Sequence, residues 1–413
     1  DVNQFKVELV IGGNVAANIS KAAIGTYTAV VPARTIAETV KVEAKYDGTK
    51  TGGEANVEFV PALNLAATTL TASPGQVAAD GASTSTAKVV FKDYSNNPIE
   101  VDASKVRILL DGTSVTITAG SAGTYTATVP ARTTAATVQV TASYDGSATG
   151  GSTSVNFVPA LNLAATTLSA NPATVNADGN STSKATLHFK DYAGNGFSVD
   201  ADKVNILLDG VNAAVSSLGN GLFEATVPAS TMAKTVQVTA RYDGNQLNQT
   251  ATVTFVPALN LAATEVSANP VSVNADGVST STARVVFKDY AGNPIAVDAA
   301  KVSLLLNATS VTITAGTTGE YTAIVPARTT AGTVAVTAKY DGSTVNSSAS
   351  VQFVPVVNLA ATVVSASPAT VNADGTSTST AKVEFKDYAG NAIAVDASKV
   401  KLLLDNVSAS ITA

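Results

Sequence analysis

A V-x-F-V-P phrase recurs around Phe59, Phe157, Phe255 and Phe353, each 98 residues after the last. Other landmarks keep the same step: Asp80, Asp178, Asp276 and Asp374 in an A-D-G turn, and Phe91, Phe189, Phe287 and Phe385 before Lys-Asp-Tyr. A chain with this period has to build one small domain several times over, so its function is sought in repetition and not in a single active site. A unit of this size buries a core of its own, and it exceeds the roughly 20–45 residues of a solenoid unit that leans on its neighbours. The expected division is residues 1–63 (a partial domain holding late strands), 64–161, 162–259, 260–357 and 358–413 (a partial domain holding early strands).

The chain is 45% apolar and 14% charged, the composition of folded domains. Its net charge of −6 is spread thinly, with no basic stripe for phosphates and no aromatic platform for bases, which argues against nucleic acid. No apolar run approaches the roughly 18 residues of a membrane helix, so membrane insertion is not expected in this segment. Cysteine is absent, and stability must come without disulfides. Residue 1 carries no export signal, which is expected upstream.

Within 64–161, short alternating segments are bounded by Gly, Pro, Asn and Asp about every dozen residues, an all-β pattern. Val138, Val140, Ala142 and Tyr144 share one face, with Gln139, Thr141 and Ser143 on the other. In the first copy Val40, Val42, Ala44 and Tyr46 alternate with Lys41, Glu43 and Lys45, which fixes the register. Ala87, Val89 and Phe91, then Val106, Ile108 and Leu110, then Tyr125, Ala127 and Val129 point inward by the same test. With strands over 65–71, 113–118 and 155–158, seven antiparallel strands predict a two-sheet immunoglobulin-like sandwich in place of a barrel.

Asp-Gly pairs at 80–81, 111–112 and 145–146 mark turns, where Asp tolerates left-handed backbone and Gly adopts it freely. Between copies, Phe157-Val-Pro-Ala-Leu-Asn-Leu163 has no Gly/Ser linker and is stiffened by Pro159. Strands of six to eight residues reach roughly 20–27 Å, so the array is expected to be a semi-rigid rod on the order of 150 Å long.

Ala177-Asp178-Gly179, then Asp289-Tyr290-Ala291-Gly292-Asn293-Pro294, then Gly319-Glu320-Tyr321-Thr322 together resemble the group 1 bacterial Ig-like domain. That family builds the extracellular stalks of invasin- and intimin-type adhesins, and the likeness runs through the whole chain. The resemblance implies tandem sandwiches on the bacterial surface, with host receptor or glycan recognised through parts not present here: neither an anchoring barrel nor a lectin-like tip lies in these residues. Asn96-Asn97-Pro98 lacks the family's Gly, and Asn195-Gly196 and Asn391-Ala392 lack its Pro, changes that adjust a turn.

Catalysis finds no foothold. The single histidine, His188, alternates outward where other copies carry Val90, Val286 and Glu384, so no Ser/His/Asp set is available. No carboxylate pair stands out for glycoside hydrolysis, and almost no exposed aromatics are expected to hold sugar. For metal, Asp93, Asp191, Asp289 and Asp387 recur beside loop oxygens, the donors calcium prefers. Asp102, Asp200, Asp298 and Asp396 follow in the next loop, where the first copy has Asn3. Two readings stand: turn residues, or structural calcium.

Leu109, Leu207, Leu305 and Leu403 fall between inward residues of their strands, with Val10 equivalent. They face away from the core, either beneath a covering loop or as a repeated lateral contact for neighbouring copies or other surface proteins. Both chain ends fall inside a repeat, with Val2 matching Val101 and Ala413 matching Ala119, which raises completion of one molecule's head by another's tail through strand addition. N-x-S/T triplets such as Asn180-Ser181-Thr182 are expected by chance at this composition.

The sequence therefore predicts a non-enzymatic extracellular stalk of a surface adhesin, with an S-layer or filament subunit as the alternative. A binding module would show as a copy that departs from the rest. The third copy departs most: Phe223 replaces Tyr, Ser230 replaces Arg, and Ser216-Ser217-Leu218-Gly219-Asn220 rewrites a hairpin.

Overall fold

The computed structural model describes residues 2–412. The chain divides into two compact units. The first is Asp1–Thr167 with His188–Asp202 and Ser217–Phe223, and the second is Leu168–Leu187 with Lys203–Ser216 and Glu224–Ala413. Among the described residues the regular structure is strand, interrupted only by three-residue 3-10 turns, and no helix is long and apolar enough to cross a membrane.

In the first unit, the 64–161 repeat is a complete sandwich. Its strands are β1 (Leu63–Ser73), β2 (Gln76–Ala79), β3 (Ser85–Asp93), β4 (Val106–Leu110), β5 (Thr113–Val115), β6 (Thr118–Ala119), β7 (Thr124–Val129), β8 (Ala136–Tyr144) and β9 (Ser147–Pro159). One sheet runs β5-β4-β8-β9-β2 and the other β6-β7-β3-β1. Alternation predicts the core correctly: Ala87, Val89, Phe91, Ile108, Val138, Val140 and Phe157 are buried between the sheets. Phe91 meets Tyr125 and Tyr144 edge-on, with centroids 5.8 and 5.7 Å away, the geometry the ring quadrupoles favour.

The structure corrects three strands of the sequence reading. The segment 113–118 is two strands, β5 and β6, which lie in different sheets. The last strand is β9, far longer than 155–158. The first strand also changes sheets: β1 pairs antiparallel with β3, and after the cis Ser73–Pro74 peptide, β2 pairs parallel with β9, setting Val77 opposite Phe157. Buried Ser85 donates its hydroxyl to the Pro74 carbonyl (2.7 Å) at that corner.

A bulge interrupts β1 between Asn64 and Thr69. Asn64 Oδ1 accepts from the amides of Ala66 and Ala67 at 3.2 and 3.3 Å, and the buried Thr68 hydroxyl donates to the Asn64 carbonyl at 3.2 Å. The side chains of L-N-L-A-A-T thus satisfy backbone groups that the ladder releases. Residues 2–63 form a four-stranded sheet and a hairpin. Val40 is buried there, while Tyr46 is exposed where Tyr144 is half-buried. The charges of the alternation pair on the outer face: Lys41 Nζ lies 2.6 Å from Glu54 and 2.9 Å from Glu43, and Lys50 lies 2.6 Å from Glu43.

In the second unit, the 260–357 repeat has the same two-sheet plan around Phe287, Leu304, Val336 and Phe353. The strands Thr174–Ala177, Asn245–Pro257, Lys234–Tyr242, Val204–Leu208 and Val211–Asn212 form a five-stranded sheet in that order. Residues 357–387 form a two-stranded ribbon.

Candidate functional site

The recurring acidic residues are built into turns. Asp93 is buried, and its Oδ1 accepts from the amides of Ser95 and Asn97, both at 2.8 Å, while Asn97 Nδ2 reaches Oδ2 at 3.4 Å. Asp191 takes Ala193 and Asn195 (2.9 and 2.8 Å), Asp289 takes Ala291 and Asn293 (2.9 and 2.8 Å), and Asp387 takes Ala389 and Asn391 (3.0 and 2.8 Å). Each carboxylate is thus compensated by donors of its own loop, as a buried charge requires. The Asn391 amide is the main cause that holds the Asp387 carboxyl below the usual range.

The second series caps 3-10 turns. Asp102 accepts from Ser104 N (3.0 Å), Asp200 from Asp202 N (3.2 Å), Asp298 from Ala300 N (3.0 Å) and Asp396 from Ser398 N (3.1 Å). Asn3 accepts from Phe5 N in the same way at 3.0 Å. A neutral amide does the same work, so this position asks for an acceptor and not for charge. The sequence reading missed these turns because three residues carry no helical period. Among the described residues, no group of three or more His, Cys, Asp or Glu side chains has metal-holding geometry.

The A-D-G turn holds its carboxylate in the ionised form. Asp80 accepts from the amides of Ala82 and Ser83 (2.8 and 2.6 Å) and from the Ser83 hydroxyl (2.6 Å). The hydroxyl foremost, then the amides, pull its pKa from 3.8 to about 2. Asp178, Asp276 and Asp374 are lowered by the same motif, led in each by the serine amide. A folded-state pKa below the unfolded one gives stability that is fully present above about pH 4 and is lost as pH falls toward about 2. Acid titration followed by circular dichroism is expected to show that loss, and Asp80→Asn, which keeps an acceptor but does not titrate, should flatten it for its own repeat.

Tyrosine ties the core to the loop before β4. Tyr125 Oη donates to the Val101 carbonyl at 2.7 Å, Tyr321 to Val297 at 3.0 Å and Tyr27 to Val2 at 2.8 Å. Phe223 holds the place without a hydroxyl and keeps the edge-on contact with Phe189. Tyr125→Phe should cost about 1 kcal/mol by thermal denaturation, because the loop carbonyl loses its donor.

The four leucines prove unequal. Leu109 and Leu305 are half-buried, Leu207 is 4% exposed and Leu403 is 54% exposed. Leu109 and Leu305 lie outside the buried cores around Phe91 and Phe287, whereas Leu207 is itself buried. His188 is half-buried, and Val286, at the matching outward position, is buried. Exposed aromatics, expected to be nearly absent, recur instead: Tyr94, Tyr192, Tyr290 and Tyr388 are 55, 40, 40 and 41% exposed beside the buried aspartates.

Junctions between repeats are short. Ala160 alone separates β9 from the strand Leu161–Asn171, and Ala258 alone separates Asn245–Pro257 from Leu259–Asn269. In the first unit, Ser95 of the buried-aspartate loop donates its hydroxyl to the Thr35 carbonyl of the preceding repeat at 2.7 Å. Ala193, Ala291 and Ala389 fill that position in the other copies.

The family described as Invasin, domain 3 matches residues 64–160, 162–258 and 260–356. Among solved structures, the Escherichia coli adhesin FdeC is 21% identical, over 72% of this chain and 100% of its own, with a TM-score of 0.41. Invasin, titled a bacterial integrin-binding protein, is 23% identical over 72% of this chain and 62% of its own, at 0.41. Yersinia pseudotuberculosis InvD is 22% identical over 55% and 70%, at 0.33. No curated protein matches the chain. With three successive matches over more than half its length, the chain belongs to the invasin domain 3 family and is built of tandem Ig-like β-sandwiches.

Proposed function

We propose that this chain is a non-enzymatic spacer, the extracellular stalk of a bacterial surface adhesin, whose tandem sandwiches hold a distal module away from the cell. The observation that carries the reading is the junction: one to three residues between the last strand of one repeat and the first of the next leave little chain to flex. Supporting it, the carboxylates of Asp93 and Asp289 accept from amides of their own loops, which fits turn residues. On this reading host receptor or glycan is met by other parts of the adhesin, and calcium is not needed for stiffness.

Small-angle scattering on residues 1–413, coupled to size exclusion, tests this. The expected result is an elongated monomer whose profile is the same with calcium and with chelator. Concentration-dependent sheets or fibres would instead favour an S-layer or filament subunit, and softening on calcium removal would restore the aspartate loops as metal sites.

A further inference from the structure

Two departures of the third copy, Val211 and Lys234, line one groove, and two more, Ser230 and Met232, lie in the loop between its lining residues Pro228 and Lys234. In the 64–161 repeat, Arg132 stands over the Phe157 ring, 5.9 Å from its centroid, and its guanidinium lies 3.4 Å from Asp111. Arg328 stands over Phe353 at the same distance. The third copy keeps the carboxylate, as Asp209, and the ring, as Phe255, but has Ser230 in place of the arginine. Ser230 turns back into its own loop, donating its hydroxyl to the Met232 carbonyl (2.8 Å) and accepting from the Met232 amide (3.0 Å).

A groove of about 510 Å³ lies beside it, lined by Leu208, Val211, Ala213, Val236, Asp209 and Lys234. Asp209 Oδ1 accepts from the Gln237 amide at 2.8 Å, and among the described residues Asp209 has no cationic partner. The nearby substitutions also favour contact. Val211 and Met232, 70 and 61% exposed, replace Thr113 and Thr134, and Lys234 replaces Ala136. Adaptable apolar side chains around an unmatched carboxylate make a poor solvated turn and a good receptor surface.

We propose that this groove is a side-on docking site for a protein segment that presents an arginine flanked by apolar residues. The incoming guanidinium takes the place that Arg132 fills in the second repeat, pairing with Asp209, and its neighbours cover Val211 and Met232. Lys234 supplies a donor to the segment's carbonyl groups. Arginine suits the site better than lysine because a planar fork matches a carboxylate and lies flat against apolar and aromatic surface.

Met232 is the only methionine in the sequence, so a 13C-methyl label gives one signal at the site. The probe is N-acetyl-Val-Arg-Val-amide, titrated into the full 413-residue chain. A saturable shift of the Met232 methyl in the millimolar range is expected, at least about tenfold weaker for the citrulline peptide and about fivefold weaker for Asp209→Asn. Ser230→Arg restores the residue present in the second copy, keeps the fold, and should abolish binding by filling the groove from within. No saturable shift, equal binding of the citrulline peptide, or full binding to folded Ser230→Arg would each overturn the proposal.

Discussion

Gly123→Ala should strongly destabilise the 64–161 repeat while Gly25→Ala, at the matching position of the first copy, costs little. Both glycines are left-handed, with φ of +68° and +72°. A Cβ on Gly123 would lie 2.0 Å from the Ile99 carbonyl oxygen, whereas nothing lies within 4 Å of Gly25. The crowding at Gly123 has a cause: its carbonyl accepts from Phe91 N at 3.0 Å, and the Phe91 carbonyl accepts from Ile99 N at 3.0 Å. Three backbone segments meet there, and none is a flexible side chain that can step aside. Gly221 and Gly319 are pressed in the same way, 2.4 Å from the Phe197 oxygen and 2.5 Å from the Ile295 oxygen. The expected cost at Gly123 is at least about 3 kcal/mol, strain added to the ordinary positive-φ penalty. Gly25 should show that penalty alone, about 1 kcal/mol. Thermal unfolding resolved by repeat measures both; equal costs would mean that the crowding does not exist.

Phe91→Ala is the second large effect. Phe91 is fully buried and stacks edge-on with two tyrosines, so truncation leaves a cavity that two sheets spanned by a ladder do not close. The expected loss is about 3–5 kcal/mol, confined to residues 64–161. Hydrogen exchange read by mass spectrometry should show protection lost in that repeat and unchanged in 260–357, because each sandwich buries a core of its own. Loss of protection in both would show that the repeats do not fold independently.

These effects rest on residues whose roles were readable to different degrees. Phe91, Val89 and Ala87 alternate strictly, and a period of two needs no tertiary knowledge to assign a face. The sheet change at Pro74 was not legible, since Gln76–Ala79 is too short to show alternation and its partner, β9, lies some eighty residues away in the chain. Nor was the crowding at Gly123, because sequence marks a turn but not which strand lies against it. For the aspartates, sequence gave residue type and spacing, which suit calcium and a capped turn alike. The hydrogen bonds of Asp93 and the matching role of Asn3 bear on that choice, and both depend on amide positions that a one-dimensional pattern does not carry. The divergence of the third copy was visible as separate substitutions. Ser230, Met232 and Lys234 are close in sequence, but that Val211 shares a groove with Lys234 depends on the fold and not on the one-dimensional pattern.

Single-molecule stretching of the 413-residue chain tests the central claim most directly, that repeats of equal length act in series as independent mechanical units. The prediction is three separate unfolding steps of equal length, each roughly 300 Å, the reach of about 98 extended residues less the folded span. A single cooperative rupture, or steps of unrelated lengths, would contradict it.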